Sequence, residues 1–363
     1  MKVLVVNTGS SSVKLRLLSG GDVLGSTDLG APSTLEPSAV ADTVDELAGG
    51  SGVDAVGHRV VHGGPDFTAP VVVDDKVRAA LEALVDLAPL HLPASLAGLD
   101  AVRAALPSVP SVACFDTAFH ATMPAAATTY ALPSEWRSLG VRRYGFHGLS
   151  HAYSARRVPA VLGVPPYGLR LVSCHLGAGA SLCAVQDGRS VDTTMGFTPL
   201  EGLVMATRSG SVDPGLVLWL QRQRGLSADE VSDGLERRSG LLGLTGTADM
   251  REVLDRRSTG DTDAVLAFEV YIYRIRAGIA AMAAAMSGVD AVSFTGGVGE
   301  ASAAVREGAV AGLEYLGLAV NPGQNEAARG DANVSAPGSP GGIAVVTARE
   351  DLEIATQVSQ LLS

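Results

Sequence analysis

The sequence is poor in aromatic residues and cysteines and carries no excess of positive charge. Aromatic residues make up 4% of the 363 positions, so the core has to be filled mainly by Ala, Val and Leu. The three cysteines, Cys114, Cys174 and Cys183, lack CxxC spacing, which fits a reducing cytoplasm better than a disulfide scaffold. The formal net charge of −11 argues against general binding to nucleic acid or to an acidic membrane surface.

Long hydrophobic runs are also missing. The most membrane-like stretch, residues 277–289, is mostly alanine, is shorter than the ~20 residues a span needs, and ends at Asp290. The run after Lys2 is too short for a secretory signal, so we expect a cytoplasmic chain with no membrane partner. The residues that are present, 47% hydrophobic and 18% charged, are typical of a folded protein, and the length predicts two or three domains.

Strand-like and helix-like runs alternate along the chain. The strand-like runs are 3–7, 12–18, 53–61, 111–115, 170–175, 181–186, 291–295 and 343–347. The helix-like runs lie near 75–87, 94–106, 148–161, 212–223, 263–287, 300–313 and 350–361. This alternation predicts an α/β architecture, with one short helix and loops in 31–52 and a surface excursion at 321–342.

Two glycine-rich hairpins share one design. In VLVVNTGSSSVKLRLL, residues 3–18, the serines and Lys14 suit a loop that holds a phosphate, with Asn7 able to hold a metal-bound water. A solvated turn is the alternative. The stretch LVSCHLGAGASLCAVQDG, residues 171–188, repeats the pattern of a β run, a small-residue turn and a second β run. The repeat predicts a duplicated domain, unless two common hairpins resemble each other by chance.

Two charged residues lie at or near the ends of predicted strands. Arg59, in HRVVHGG, suits bidentate recognition of a carboxylate or phosphate, with a surface arginine as the alternative. Asp116 follows the apolar run 111–115, and in α/β proteins a polar residue there points into the ligand crevice. A helix N-cap is the alternative for Asp116.

Three loops have compositions typical of functional sites. His147 lies between two glycines in RYGFHGLSH, which favours a functional loop over a core position. Residues 193–215 form a long loop that contains Arg208, and loops of this length are usually functional. The stretch AVSFTGGVGEA, residues 291–301, reads as a strand, a glycine turn and a helix that would let a nucleotide approach the backbone.

In their order along the chain, these motifs resemble the acetokinase family, within the sugar kinase, Hsp70 and actin superfamily. The matching stretches lie between residues 7 and 355 and read NTGSSSVK, HRVVHGG, APLHLPASL, FDTAFH, RRYGFHGLSH, HLGAGASL, DTTMGFTPLEGLVMATRSGSVDPG, FTGGVGEA and AREDLEIA. The resemblance implies a two-domain, duplicated, ribonuclease H-like α/β fold with a central cleft. It implies an N-terminal domain of residues 1–119 plus 352–363 and a C-terminal domain of residues 120–351.

The family resemblance also implies an activity, reversible phosphoryl transfer from ATP to acetate that gives acetyl phosphate and ADP, as in acetyl-CoA biosynthesis. Mg²⁺, or Mn²⁺ in its place, would be the cofactor, acetate and ATP the partners, and a homodimer the assembly. A propionate or other short-chain carboxylate kinase is the alternative, because one methylene changes binding by only about 1–3 kcal/mol. A non-catalytic nucleotide sensor on the same fold is less favoured, since the motif residues are intact.

Positions that match the family motifs imply the site residues. Asn7 and Glu350 are implied for the metal, and Asp116, His147 and Arg208 for catalysis. The acetate site would use Arg59 for the carboxylate and an apolar pocket for the methyl group, formed by Val61, Leu90, Phe146 and Pro199. The nucleotide site would comprise Ser10, Ser12, Lys14, His175, Leu176, Gly177, Ala178, Gly179, Asp249, Met250, Arg251, Gly297, Val298, Gly299, Glu300 and Ala301.

Two further expectations follow for this chain. Acetate is ionised at pH 7 and needs no general base, so we expect Asp116 to orient Mg²⁺, its waters or Arg208 rather than remove a proton. The sequence also departs from the family pattern at Thr8, Pro65, Leu92 and Ala178. Only Ala178 removes a side chain, the usual Asn of HLGNG, that could touch a phosphate, so we expect weaker nucleotide binding with the reaction unchanged.

Overall fold

The computed structural model describes residues 1–9 and 12–363, which divide into two compact units. Unit 1 comprises Met1–Ala121, Phe146–Tyr153 and Arg349–Ser363, and unit 2 comprises Thr122–Gly145 and Ser154–Ala348. Serines 10 and 11 of the predicted first phosphate loop lie outside the described residues. The domain limits expected from the sequence stay a prediction.

The strands divide evenly between the two units. Unit 1 contains β1 (Lys2–Thr8), β2 (Val13–Ser19), β3 (Asp22–Leu29), β4 (Ala55–Val60), β5 (Val71–Val72) and β6 (Ser111–Phe115). Unit 2 contains β7 (Arg170–Leu176), β8 (Ala180–Gln186), β9 (Arg189–Thr193), β10 (Ala291–Thr295), β11 (Ala332–Asn333) and β12 (Gly342–Val345).

Helices alternate with these strands as expected for an α/β chain. They are α1 (Pro37–Ala48), α2 (Asp75–Glu82), α3 (Leu92–Ala105), α4 (Ala125–Thr128), α5 (Ser134–Arg137), α6 (Gly148–Leu162), α7 (Pro214–Arg224), α8 (Ala228–Arg237), α9 (Gly240–Thr245), α10 (Met250–Ser258), α11 (Thr262–Ala285), α12 (Gly296–Ala301), α13 (Ala303–Val310), α14 (Pro322–Ala327) and α15 (Glu350–Leu362). Short 3₁₀ turns occupy Pro32–Thr34, Val85–Leu87, Ala118–Thr122 and Glu314–Leu316. Within residues 1–9 and 12–363, no helix is both long and apolar enough to cross a bilayer.

The two sheets have the same topology. Across the described residues, the strand order is β3-β2-β1-β4-β6-β5 in one sheet and β9-β8-β7-β10-β12-β11 in the other. In both, the first two pairings are antiparallel, the next two are parallel, and the last is antiparallel. A chance likeness between two hairpins would not extend over six strands, so the predicted duplication and α/β fold class are confirmed.

The two predicted hairpins open the two sheets. In β1 and β2, Asn7 lies opposite Lys14, and Gly9 N donates to Ser12 O at 2.9 Å. In β7 and β8, His175 lies opposite Ser181, and Gly177 N donates to Gly179 O at 2.9 Å. Alternating apolar residues make β2 bury one face and expose Lys14 on the other, which is the pattern of a strand covered on one side.

The last helix packs against the first sheet because a glycine leaves room for it. A Cβ on Gly57 of β4 would lie only 2.5 Å from Ile354 and 2.8 Å from Val358, both of which are buried residues of α15. Gly57 therefore lets α15 approach the backbone of β4 closely. This packing brings the N-terminus of α15, which begins at Glu350, to the sheet that also carries Arg59.

Candidate active site

Arg59 is surrounded by oxygen-bearing side chains at one edge of the first sheet. Its Nη2 donates to Asp116 Oδ2 at 2.7 Å, and its Nε donates to Asp116 Oδ1 at 3.3 Å. Its Nη1 donates to Asn7 Oδ1 at 3.3 Å, and Glu350 Oε2 lies 3.7 Å from Nε. Asn7, Arg59 and Asp116 lie at or just beyond the C-terminal ends of adjacent parallel strands, so the topology itself gathers them.

The charges of this cluster do not balance. Arg59 is 22% exposed and Asp116 is 1% exposed. Burial lowers the pKa of Arg59, but the Asp116 and Glu350 carboxylates outweigh it and hold that pKa above its usual range. One guanidinium therefore faces two carboxyl groups, which leaves the cluster suited to a cation as well as to an anion that Arg59 can bind.

These oxygen atoms are of the type that Mg²⁺ prefers. Asn7, Asp116 and Glu350 supply an amide oxygen and two carboxylates, and Mg²⁺ is commonly held by one or two carboxylates together with substrate phosphates. In the part of the chain that the structure describes, no group of three or more His, Cys, Asp or Glu side chains could hold a metal. The donor set therefore fits a magnesium ion shared with a substrate and does not form an all-protein cage.

A second loop is fastened to Asp116. Gly148 N donates to Asp116 O at 2.8 Å, and a Cβ on Gly148 would overlap that carbonyl, so only glycine fits there. The preceding residue, His147, has φ 57°, a left-handed conformation that costs energy for a non-glycine residue and is common at functional sites. Phe146 is buried with its ring 5.4 Å from that of His62.

The other residues of the predicted acetate pocket are more exposed than Phe146. Val61, directly after β4, is half-buried, and Leu90, shortly before α3, is 45% exposed. Pro199 belongs to unit 2 and is half-buried. The pocket stays a prediction.

The predicted first phosphate loop is described only in part. Gly9 and Ser12 are joined by the turn hydrogen bond, and Lys14 is exposed one strand away from Asn7. Helix α3 packs closely on the end of β1, since a Cβ on Gly98 would overlap the Thr8 side chain. Helix α3 therefore supports the strand end from which the loop departs.

Two glycine turns meet at one edge of the second sheet. His175 and Leu176 end β7, and the parallel neighbour β10 ends opposite them at Thr295. Gly296, with φ 80°, lies so close to Leu176 that a Cβ there would be 2.8 Å from Leu176 O. The turn 177–179 and the segment that begins at Gly296 therefore present their backbones side by side, as nucleotide phosphates require.

A half-buried carboxylate and a buried arginine hold this second glycine segment in place. Glu300 Oε1 accepts from Gly296 N and from Ala348 N, both at 2.9 Å. Arg306 is 1% exposed and donates from Nη1 to Gly299 O at 3.0 Å and to Glu300 O at 2.7 Å. These bonds from Arg306 satisfy two carbonyls of the short helix α12 within the protein itself.

Arg208 lies in the long loop before α7 with only neutral acceptors. Its Nη1 donates to Pro199 O at 3.2 Å and lies 3.8 Å from Met205 Sδ. Burial lowers its pKa, and the more distant charge of Glu236 only partly opposes this. Among the described residues no carboxylate forms an ion pair with Arg208, so its positive charge is available to an anion.

The predicted nucleotide residues at Asp249–Arg251 form a set separate from those of the two glycine turns. Arg251 donates from Nη2 to Asp249 at 2.6 Å, and Asp249 caps α10 by accepting from Arg251 N. In the described part of the chain, their hydrogen bonds do not join them to either glycine turn. Ala178, within the glycine turn 177–179, is exposed, and its carbonyl accepts from Ala206 N at 3.1 Å.

Sequence reasoning missed a network around Glu201. Its carboxylate accepts from Tyr130, which is 71 residues away, and from Arg143, which is 58 residues away. Glu201 lies inside one of the stretches that match the family, but no spacing pattern connects it to either partner. The one sequence feature that relates to this network is the glycine at position 196. The structure explains it, because a Cβ there would overlap Glu201 and Tyr130.

Comparisons of sequence and of structure with known proteins point to the same family. A sequence model of the acetokinase family matches residues 34–356. The acetate kinase of Streptomyces coelicolor is 47% identical over 396 aligned positions, which cover 100% of this chain and 97% of that protein. The crystal structure of Porphyromonas gingivalis acetate kinase has a TM-score of 0.92 and 39% identity, with 100% of both chains covered.

A propionate kinase from Francisella tularensis is also similar, with a TM-score of 0.91 and 34% identity over 98% of both chains. These matches confirm the fold class that the motifs predicted, because they extend over both sheets and both hairpins. The family match covers most of the chain, and a relative above 30% identity covers all of it. The chain therefore belongs to the acetokinase family.

Proposed function

We propose that this protein is an acetate kinase that transfers the γ-phosphoryl group of ATP to acetate, reversibly and with Mg²⁺. Membership of the acetokinase family supports the reaction class. The observation that carries the proposal is the position of Arg59, whose guanidinium lies among Asn7, Asp116 and Glu350. An arginine for a carboxylate beside oxygen ligands for a metal is what a carboxylate kinase needs.

The reaction requires no net proton transfer. An oxygen of ionised acetate attacks the γ-phosphorus of ATP, the new O–P bond forms in line, and the bond to the β–γ bridging oxygen breaks to release ADP. Charge is conserved between acetate with ATP and acetyl phosphate with ADP, so no side chain has to remove a proton. In this scheme Asp116 holds Arg59 and contributes an oxygen for the metal, rather than acting as a base.

Arg59 binds the acetate carboxylate in this proposal. Its five N–H groups form a rigid fork, and the bonds to Asp116 and Asn7 fix the plane of that fork. Phe146 and Pro199, with Val61 and Leu90, would face the acetate methyl group. A pocket of this kind separates acetate from propionate by only about 1–3 kcal/mol.

Arg208 and His147 stabilise the transition state. Phosphoryl transfer spreads negative charge over the equatorial oxygens of the moving group, and a preorganised cation stabilises that charge. Arg208 is suited to this role because it has no carboxylate partner among the described residues and is held by the Pro199 carbonyl. His147 is suited because its strained backbone is fixed by the loop that binds to Asp116.

The phosphates of ATP are held by the two hairpins and the glycine segment in this scheme. Lys14 contributes charge beside the first turn, and the amides of residues 177–179 and 297–301 contribute hydrogen bonds. The residues Asp249, Met250 and Arg251 are proposed for the nucleoside end. Asn7 and Glu350 would hold Mg²⁺, or Mn²⁺ in its place, with Asp116 close by. When bound, such an ion supplies positive charge to the phosphate oxygens.

We also propose a cytoplasmic homodimer. The three cysteines are buried and form no disulfide among the described residues, which suits a reducing compartment where ATP is present. Exposed apolar side chains on unit 2 support association with a second copy, since α7 leaves Leu218 47% and Trp219 44% exposed and α11 leaves Tyr273 65% exposed. Sedimentation velocity tests this proposal, and a species of monomer mass at micromolar concentration would contradict it.

A hydroxamate assay tests the proposed activity. Purified protein is incubated with hydroxylamine and with acetate, propionate or butyrate, each with and without ATP and Mg²⁺. We expect hydroxamate to form only when ATP and Mg²⁺ are present, and we expect the highest kcat/KM with acetate. A higher kcat/KM with propionate would favour the alternative of a propionate kinase, to which the Francisella tularensis neighbour is assigned. No hydroxamate with any acid would reject the proposal.

A further inference from the structure

A long loop without regular structure carries two residues of the proposed site. Between β9 and α7, residues 194–213 contain no helix or strand, and they include Pro199 and Arg208. Catalysis requires the transferring group and its stabilising cation to be held to within about an ångström. Backbone hydrogen bonds such as Met205 N to Arg208 O at 3.1 Å and Ser209 N to Leu235 O at 2.9 Å hold the second half of this loop. In its first half, side chains add to the backbone bonds.

Three side chains of unit 2 fasten the first half of this loop, and we name Tyr130, Arg143 and Glu201 the loop clamp. The Tyr130 hydroxyl donates to Glu201 Oε2 at 2.5 Å and accepts from Phe197 N at 3.0 Å. Arg143 Nη2 donates to Glu201 Oε1 at 2.6 Å, and its guanidinium lies 5.6 Å from the Tyr130 ring centre. Each member of the clamp thus contacts the other two.

The loop clamp also binds the loop backbone directly. Arg143 Nη1 donates to Thr194 O at 3.1 Å and to Met195 O at 2.9 Å. The Gly196 carbonyl accepts from the backbone N–H groups of Tyr144 and Gly145 at 3.1 and 3.2 Å. A Cβ on Gly196 would overlap both Glu201 and Tyr130, so a larger residue would push the clamp off the loop.

The electrostatics of the clamp favour a fixed arrangement. Burial and the bond to Glu201 raise the pKa of the Tyr130 hydroxyl, so it stays protonated and keeps donating. Arg143 is 16% exposed and Glu201 is 35% exposed, and their ion pair compensates the Glu201 charge. The clamp therefore adds rigidity to the loop without placing an uncompensated negative charge two residues from Pro199.

The clamp connects to Arg208 through one carbonyl group. Glu201 and Phe197, which the clamp holds, flank Pro199 at two residues on either side, and Pro199 O accepts from Arg208 Nη1 at 3.2 Å. We infer that Tyr130, Arg143 and Glu201 are positioning residues that set Arg208 through the 197–201 turn. This inference rests on the proposed function only in assigning Arg208 to the transition state.

The first test compares two substitutions that each delete one tyrosine hydroxyl. Tyr130→Phe removes the clamp bonds to Glu201 and Phe197, whereas Tyr271→Phe removes a buried hydroxyl that has no hydrogen-bond partner in the described residues. We expect Tyr130→Phe to lower kcat on the order of tenfold, below the ~10² that a misplacement of 1 Å can cost. The KM for ATP should stay within about twofold, and Tyr271→Phe should leave both constants unchanged. Glu201→Gln, which keeps the shape and removes the charge, should act like Tyr130→Phe.

A double-mutant cycle separates positioning from general damage. If Tyr130 acts through Arg208, Tyr130→Phe should have less than a twofold effect on kcat in an Arg208→Ala background. An equal loss in both backgrounds would show that Tyr130 does not act through Arg208. Unchanged kcat in both Tyr130→Phe and Glu201→Gln would also overturn the inference.

Hydrogen exchange followed by mass spectrometry tests the clamp without any activity. The amide of Phe197 donates to Tyr130, so Tyr130→Phe should speed exchange in a peptide covering 194–201, and Tyr271→Phe should not. Unchanged exchange would reject the clamp even in an active enzyme. Faster exchange in a protein that forms no acetyl phosphate would instead retain the clamp and reject the proposed function.

Discussion

Replacement of Arg208 by alanine should remove catalysis and leave the fold nearly unchanged. The Arg208 side chain is half-buried, and its guanidinium is held by the Pro199 carbonyl and the Met205 sulfur, with no ion pair to a carboxylate in the described residues. A cation in such a place gains little from its neighbours in the absence of an anion. Arg208 can instead stabilise the negative charge that develops on the transferring phosphoryl group.

The magnitudes separate the two effects. An arginine that stabilises phosphoryl transfer is worth about 10³ or more in kcat, which corresponds to about 4 kcal/mol at 1.36 kcal/mol for each tenfold change. Loss of a hydrogen bond from a charged group costs about 1.5–3 kcal/mol of stability, and relief of the burial of an unpaired charge offsets much of it. We therefore expect Arg208→Ala to lower kcat on the order of 10³ while the free energy of unfolding changes by about 1 kcal/mol.

Steady-state kinetics and urea unfolding on the same preparations measure both quantities. Arg238→Ala is a matched control, because Arg238 also lies in unit 2 but is 64% exposed and pairs with Asp233. The KM for acetate should change far less than kcat in Arg208→Ala. A kcat within about threefold of the unsubstituted protein would refute the reasoning, and so would a loss that merely follows the unfolded fraction.

Three further predictions follow from other parts of the molecule. Asp116→Asn should lose turnover at every pH and need more Mg²⁺ for half-maximal rate, whereas a single ionisation that disappears in the variant, with unaltered Mg²⁺ dependence, would show that Asp116 carries a proton. Ala178→Asn should tighten ATP by at most ~1.5–3 kcal/mol in calorimetry, since residue 178 is exposed, and unchanged affinity would show that other donors already fill that place. Burial lowers the pKa of His58 to about 3 and those of His62 and His120 to about 4. At pH 5.5 these histidines therefore stay neutral in the native chain, whereas in the unfolded chain they bind protons below about pH 6.5. Urea unfolding should therefore show about 1 kcal/mol less stability for each histidine at pH 5.5 than at pH 7, and a flat profile over this range would contradict their burial as neutral groups.

The sequence was sufficient for features that depend on short spacings. The hairpins were visible because apolar runs flank a small-residue turn, and their repetition predicted the duplication that the two sheets share. The strand-end position of Asp116 followed from the buried run before it, since adjacent parallel strands end at one edge. The same argument led to Arg59, although spacing alone could not separate a site arginine from a surface one.

Features that depend on long-range packing could not be predicted. Strand β3 was missed because DVLGSTDL is largely exposed at the sheet edge and lacks the alternation of apolar residues that marks a half-buried strand. The approach of α15 to β4 depends on Gly57 meeting a helix about 300 residues later in the chain, for which no local pattern exists. The loop clamp was missed for the same reason.

The most direct test of the proposed reaction follows one oxygen atom. Acetate labelled with ¹⁸O in both carboxylate positions is incubated with ATP, Mg²⁺ and the purified protein, and the acetyl phosphate formed is examined by ³¹P NMR. If an acetate oxygen attacks phosphorus, the phosphorus of every acetyl phosphate molecule carries one ¹⁸O in the bridging position and shows the corresponding isotope shift. Acetyl phosphate without that shift would mean that phosphate oxygen attacked the carboxyl carbon, and it would contradict direct transfer.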